Sequence, residues 1–312
     1  WLKTLPDWYV GCDGAVDYDR PHIPCENVLI TNWVVKHAHG GVTLGAEVIG
    51  GIRNVAISNC VFDGTRAGIR IYRYPWPGGY VENVRVSNVV MQRVEWVFHV
   101  TAYWDAEKIE DAPGAADTPV YRGIHFSDVT ATRARIACEA EGLASKPLSD
   151  LSWRGCRIES DVGFRVRDAR GVYLDDVSVA CPGPAFTADR VSELELRRFD
   201  AHSERGCAAA IELRETSDVW VHGCRAAAGT ESFVGMVGEG NCRTDMQDNR
   251  LPPGTVPQGP TVPAPYWQTC THAYSGSVLG RRDGETNPFL PVTAAAERTV
   301  RDIWDAKRVD RV

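Results

Sequence analysis

One short pattern of apolar and polar positions returns along the chain. Glu26-Asn27-Val28-Leu29-Ile30-Thr31-Asn32 sets Val28 and Ile30 two residues apart between polar ends. The pattern recurs at Arg53-Asn54-Val55-Ala56-Ile57-Ser58-Asn59 and at Glu82-Asn83-Val84-Arg85-Val86-Ser87-Asn88. Looser copies occupy 122–128, 149–155, 170–176, 192–198 and 217–223. Alternation with a period of two predicts a strand with one buried face. Asn, Asp or Gly closes most copies, and these residues suit a turn. The copies mostly lie 21 to 29 residues apart, with one step of 40 between Asn83 and Gly123. A second short strand pattern follows each, at 41–47, 68–73, 96–101, 135–139, 163–168, 208–213 and 233–237.

Two or three short strands per coil, uneven coil lengths and no helical period between them predict an all-β fold, a right-handed parallel β-helix. A leucine-rich repeat would need a stricter leucine consensus, and a propeller a period of about 40 or more. Stacked coils would set the Asn residues of successive copies over one another, where their amides can form a hydrogen-bonded ladder. The solenoid is expected over 1–240, with a Pro-rich extension over 241–312. Within that extension, 251–265 carries six prolines and is expected to be extended and free of sheet pairing. Ala296, Val300, Ile303 and Trp304 stand at helical spacing, so a short terminal helix is expected to pack along the coils or over an end.

Composition narrows the function classes. The 312 residues are 44% hydrophobic and 24% charged, with a formal net charge of −7. That balance speaks against a nucleic-acid partner. No run approaches the roughly 18 apolar residues of a membrane span. The ten cysteines include no Cys-x-x-Cys pair, so neither a metal site nor a cofactor is read. Cys60, Cys156 and Cys224 fall at one place in the repeat and read as small buried apolar residues. Cys12 with Cys25, and Cys242 with Cys270, are loop pairs open to disulfide formation. The chain starts at Trp1 with neither an initiator Met nor a signal-peptide pattern, which reads as a processed form or a fragment.

Candidate chemistry lies on the second strand of each coil. In Gly68-Ile69-Arg70-Ile71-Tyr72-Arg73, Ile69 and Ile71 point inward, so Arg70 and Tyr72 point outward. The same rule turns out Thr43, His99, Arg135 and Glu139 (flanking Ile136 and Cys138), and Arg165 with Arg167. Stacking would space these about 4.8 Å apart along one face. An extended anionic polymer fits such a line, because Arg meets carboxylates through two parallel hydrogen bonds. A solvated sheet face with incidental arginines is the other reading. Tyr72, Tyr74, Trp76, Tyr103 and Trp104 add surfaces on which sugars stack.

Four segments carry a family resemblance. They are His37-Ala38-His39-Gly40-Gly41-Val42-Thr43-Leu44-Gly45-Ala46-Glu47, Gly50-Gly51-Ile52-Arg53-Asn54-Val55, Cys60-Val61-Phe62-Asp63-Gly64-Thr65 and Gly68-Ile69-Arg70-Ile71. In order and spacing they resemble the polygalacturonases, glycoside hydrolase family 28. The likeness is dense over about 24–73 and looser to about 240.

The resemblance implies hydrolysis of a galacturonan-like or rhamnogalacturonan-like acidic polysaccharide, with inversion at the anomeric carbon. One carboxyl protonates the leaving oxygen, and carboxylates opposite it activate water. The implied setting is extracellular or periplasmic. The family's His falls on His39, which would support the acid and water network. Its Arg falls on Arg70, which would hold the sugar carboxylate, and Tyr72 stands where the family has Lys.

The family's catalytic aspartates lie upstream, in an Asn-Thr-Asp segment and an Asp-Asp pair, and neither motif occurs in the 24 residues before Cys25. Asp7, beside Pro6, and Asp13 are therefore the expected catalytic acids together with His39. Glu47 and Glu139 are weaker candidates. The expected substrate-binding set is Arg70, Tyr72, Thr43, His99, Tyr103 and Arg135. The alternative is a carbohydrate-binding or structural β-helix that has lost the catalytic acids. A calcium-dependent lyase would need more clustered acids on the strand face than are present.

Overall fold

The computed structural model describes residues 23–45, 48–72, 78–102, 119–202 and 207–260. They form an all-β parallel solenoid of about eight turns. The repeat sets the register: Val28 pairs with Val55, Val55 with Val84, Val84 with Ile124 and Ile124 with Leu151. Leu151 continues to Val172, Leu194 and Val219. The second strand of each coil stacks in the same way, from Gly40–Leu44 through Ala67–Ile71 and Trp96–Thr101 into Val120–Glu141. Val120–Glu141 and Arg157–Asp175 keep pairing around the corners between faces, so each runs as one long strand.

Backbone conformation at the corners explains the recurring Asn, Asp and Gly. Asn27, Asn54 and Asn83 have φ of 59°, 55° and 52°, and Asn32, Asn59 and Asn88 have 61°, 55° and 51°. Asn tolerates this left-handed region better than most L-residues. The expected amide ladder is present. Asn54 Nδ2 donates to Asn27 Oδ1 at 3.0 Å, and Asn83 Nδ2 to Asn54 Oδ1 at 2.8 Å. A second ladder runs from Asn88 Nδ2 to Asn59 Oδ1 at 2.8 Å.

Inside, like residues stack on like. Phe98, Phe126, Trp153, Phe164, Phe186 and Phe199 form a chain of ring contacts with centroids 4.4–6.5 Å apart. Cys60, Cys156 and Cys224 are buried and free, as their place in the repeat predicts. Burial pushes the Cys156 thiol up to about 12 and the Cys224 thiol up to about 11, which leaves both inert. Cys25 and Cys242 form no disulfide with another described residue. Cys12 and Cys270 lie outside the described residues.

The Pro-rich segment departs from expectation. Val256–Pro260 is not free of sheet pairing but adds a parallel strand to Ser232–Val237, with Val256 opposite Ser232 and Gly259 opposite Gly235. Cys242–Gln247 likewise pairs with Ser217–His222, so the coils run past residue 240. Among the described residues Val256–Pro260 pairs on one side only, and such an edge tolerates proline because not every N–H is needed in a ladder. The expected terminal helix lies outside the described residues. No helix among the described residues is long and apolar enough to cross a membrane.

Candidate active-site face

The outward positions of the second strands form two parallel rows. The first is Thr43, Arg70, His99, Glu139, Arg165, Thr187 and Glu212, each residue opposite the next. The second holds Thr101, Glu141, Arg167, Asp189 and Arg214. The period of two thus brings Thr43, Arg70, His99 and Glu139 together as expected.

Burial differs from expectation. Thr43, Arg70, Tyr72 and His99 are 2%, 6%, 1% and 7% exposed, so the row is packed and is not a solvated stripe. Large side chains explain the difference, because outward neighbours on successive coils are close enough to cover one another.

Arg70 is the centre of the face. Its Nη1 lies 2.7 Å from His39 Nε2, and its guanidinium carbon lies 3.9 Å from the centre of the Tyr72 ring. A guanidinium can only donate, so His39 accepts through Nε2 and carries any proton of its neutral form on Nδ1. His39 itself is exposed at the rim. On the next coil, Trp96 stacks on His99 with ring centroids 4.8 Å apart and planes 12° from parallel. Trp96 Nε1 donates to Glu139 Oε2 at 2.8 Å, and His99 Nε2 lies 3.9 Å from the same oxygen. His99, Trp96 and Glu139 therefore form one packed unit beside Arg70.

Burial, followed by the charges of Arg70, Arg66 and His39, holds His99 well below the usual imidazole range, so the ring is neutral at pH 7. Burial raises Glu139, against the opposing pull of Arg165 and the Trp96 hydrogen bond. Burial and then the neighbouring Glu139 push Glu141 up to about 8. Thr43 Oγ1 and His99 Nδ1 are buried without a hydrogen-bond partner among the described residues. Unpaired buried polar atoms are uncommon in native proteins and invite a ligand or water.

Arg135 does not join the row. It is exposed, and its Nη1 pairs with Glu95 Oε1 at 2.7 Å. Its neighbour Ile136 also leaves the main core, forming a small separate cluster with Ala67 and Trp96. The alternation counted back from Cys138 fails here because the chain is still rounding a corner at 135–136. Asp7, Asp13, Glu47, Tyr103, Tyr74, Trp76 and Trp104 lie outside the described residues. Sequence reasoning overlooked Trp96 as a partner of Glu139, and also Glu141, Thr187, Asp189, Glu212 and Arg214. The flanking apolar residues of Ile211-Glu212-Leu213 carry the signal that would have found Glu212.

The coils that carry these residues also resemble known proteins. The family model of glycosyl hydrolases family 28 matches residues 22–179. A probable polygalacturonase of Vitis vinifera is 30% identical over 110 residues, which cover 35% of this chain and 22% of that protein. An endo-polygalacturonase of Pectobacterium carotovorum subsp. carotovorum is 26% identical over 129 residues, 41% of this chain and 30% of the relative. An exopolygalacturonase of Rhizopus delemar is 27% identical over 163 residues, 48% of this chain and 40% of the relative. The aligned stretches thus span well under half of these relatives' own length. No solved structure matches. The match covers the coils that carry His39, Arg70, His99 and Glu139, and on it the chain belongs to glycosyl hydrolases family 28.

Proposed function

We propose that this chain hydrolyses glycosidic bonds in an acidic, pectin-type polysaccharide, of galacturonan or rhamnogalacturonan kind, with inversion at the anomeric carbon. The observation that carries this reading is the Arg70 guanidinium held between His39 and the Tyr72 ring at the head of the polar row. Arg70 binds a sugar carboxylate, and Tyr72 supports the guanidinium from below where related enzymes place a Lys. Thr43 and His99, whose buried Oγ1 and Nδ1 lack partners among the described residues, take sugar hydroxyls. His39 orders the water and acid network at the rim. Asp7 or Asp13 acts as an acid, and Tyr103 stacks on the sugar. Inverting hydrolysis needs two carboxyls about 6.5–9.5 Å apart, one to protonate the leaving oxygen and one to activate water. An extracellular or periplasmic setting suits such a polymer substrate.

The direct test is a reducing-sugar assay on polygalacturonate and rhamnogalacturonan, with NMR of the first-formed anomer. Arg70→Ala should lower kcat/KM at least about a hundredfold, and Asp7→Asn or Asp13→Asn should abolish turnover while leaving binding. A second reading, a carbohydrate-binding solenoid without hydrolysis, draws on the position of Glu139, which stands two coils from Arg70. Wild type that releases no sugar from any acidic glycan, yet is retained on one, would overturn the hydrolase in favour of that reading.

A further inference from the structure

The first strands of the coils carry an outward row of their own, on a different face from Arg70. Arg85, His125, Ser152 and Tyr173 stand opposite one another on successive coils. Their neighbours Val84, Ile124, Leu151 and Val172 belong to the core, so these four side chains point out. His125 and Ser152 are half-buried, with Arg85 and Tyr173 exposed on either side of them. Asp150 lies at the corner just before Ser152, with φ of 55°. Its carboxylate leans back over Gly123, where an added Cβ would lie 3.6 Å from Asp150 Oδ2.

Both nitrogens of the His125 ring are engaged, each by a different kind of partner. Nδ1 lies 2.6 Å from Ser152 Oγ, and Nε2 lies 3.5 Å from Asp150 Oδ2. An ionised carboxylate can only accept, so Asp150 keeps the proton of the neutral ring on Nε2 and leaves Nδ1 to accept from the serine hydroxyl. Ser152 Oγ makes no other hydrogen bond among the described residues. Burial, followed by the charge of Arg85, lowers His125 from its ordinary range against the opposing pull of Asp150. The ring is therefore neutral at pH 7 and able to take a proton. Arg85 is fixed in turn, since its Nη1 donates to the Gly123 carbonyl at 3.0 Å. His222 shows the contrast: it pairs with Glu195 through Nε2 and stacks on Trp220, with no hydroxyl on its second nitrogen among the described residues.

We propose that Ser152, His125 and Asp150 form a second catalytic centre, a serine esterase site for small acyl esters such as acetates, separate from the Arg70 face. Ser152 Oγ attacks the ester carbonyl carbon as its proton passes to His125 Nδ1. The Tyr173 hydroxyl, one coil further on, donates to the oxyanion. The bond from the acyl carbon to the alcohol oxygen then breaks, and the alcohol leaves with the proton held by His125. Water, deprotonated by the same nitrogen, attacks the acyl-serine, and the acid departs as Ser152 regains its proton. Ester and water become acid and alcohol, and no oxidant or reductant is needed. Asp150 touches no reacting atom and is a positioning residue that fixes the tautomer of His125. The open strand face leaves room for a bulky alcohol part but does not enclose a long acyl chain, which limits the acyl group to a small one.

The test is hydrolysis of 4-nitrophenyl acetate, joined to labelling with a fluorophosphonate and peptide mass spectrometry. The label should sit on Ser152, and Ser152→Ala should lose both label and ester turnover. His125→Gln should lower kcat/KM at least about a hundredfold, the ordinary contribution of a general base. Tyr173→Phe should lower it about a hundredfold, the loss of one oxyanion donor. Asp150→Asn should slow the reaction and move the acid limb of the pH–rate profile to lower pH, because no carboxylate then raises His125. Arg85→Gln should move that limb to higher pH. Thermal unfolding checks that each variant is folded, and His125→Gln carries the test if Ser152→Ala lowers the melting temperature. A wild type without ester hydrolysis, a label on another residue, or turnover undiminished in Ser152→Ala and His125→Gln would each overturn the proposal. An acid limb unmoved by Asp150→Asn would overturn the role given to Asp150. Sugar release from acidic glycans is read in a separate assay, so failure of the glycoside hydrolase reading leaves this test intact.

Discussion

At the scale of single residues, what matters is how burial changes the chemistry of ordinary side chains. Arg70 is charged at every accessible pH, so its role depends on geometry. Replacing it by Lys keeps the charge and loses the planar fork that reaches His39 and lies over Tyr72. Arg70→Lys should therefore weaken binding of an acidic oligosaccharide about tenfold or more in a titration, despite conserving charge. Glu141 offers a test through pH. Its folded pKa of about 8, raised by burial and then by Glu139, lies above the ordinary value of about 4.3 for a free Glu. Between those values the folded state binds more protons than the unfolded one, so stability falls as pH rises from about 4.5 to 8 and then levels. Glu141→Gln removes this dependence. The melting temperatures of variant and wild type should agree near pH 4 and separate toward pH 8, with the variant higher. A wild-type curve that rises over this window, with the variant unchanged from it, would show that Glu141 does not carry the effect.

At the scale of strands and corners, the repeat is legible because the same physical constraint returns on every coil. Each corner needs a left-handed residue, and Asn27, Asn54, Asn83 and then Gly123, Asp150 and Gly171 supply it. Each strand needs two inward apolar residues, and the alternation names them correctly for Val28, Val55 and Val84. The reading fails at corners, as at Arg135 and Ile136, since alternation holds only within straight strand. Asn54 tests the corner itself. Asn54→Gly keeps the left-handed conformation and loses the two ladder bonds, whereas Asn54→Ala loses both. From about 1–2 kcal/mol for a left-handed non-glycine residue and about 0.5–1.5 kcal/mol per net hydrogen bond, Ala should cost more than Gly by about 1 kcal/mol in denaturant unfolding. Equal losses would mean that the ladder, and not the backbone conformation, explains the Asn.

At the scale of the whole molecule, a solenoid is stabilised by contacts between neighbouring coils, so a change is felt most where both sides are occupied. The candidate site was legible only as far as one row of one face: the pattern placed Arg70 beside Thr43 and His99, but not the Trp96–Glu139 bond. That bond joins side chains 43 residues apart in sequence, for which a local period carries no signal. The aromatic stack shows the same nonlocal character. Trp153 lies between Phe126 and Phe164, with ring centroids 5.5 Å from each, and is fully buried. Its Nε1 finds no acceptor among the described residues. Truncation to Ala should cost about 3–5 kcal/mol, because flanking coils prevent collapse of the cavity. Trp153→Phe keeps an aromatic ring in the stack and removes a buried donor whose desolvation costs about 1–3 kcal/mol. That gain offsets most of the volume lost, so Phe should fall within about 1.5 kcal/mol of wild type in chemical denaturation while Ala falls well below. If Phe costs as much as Ala, the indole N–H has a partner that the packing conceals, and water is the first candidate.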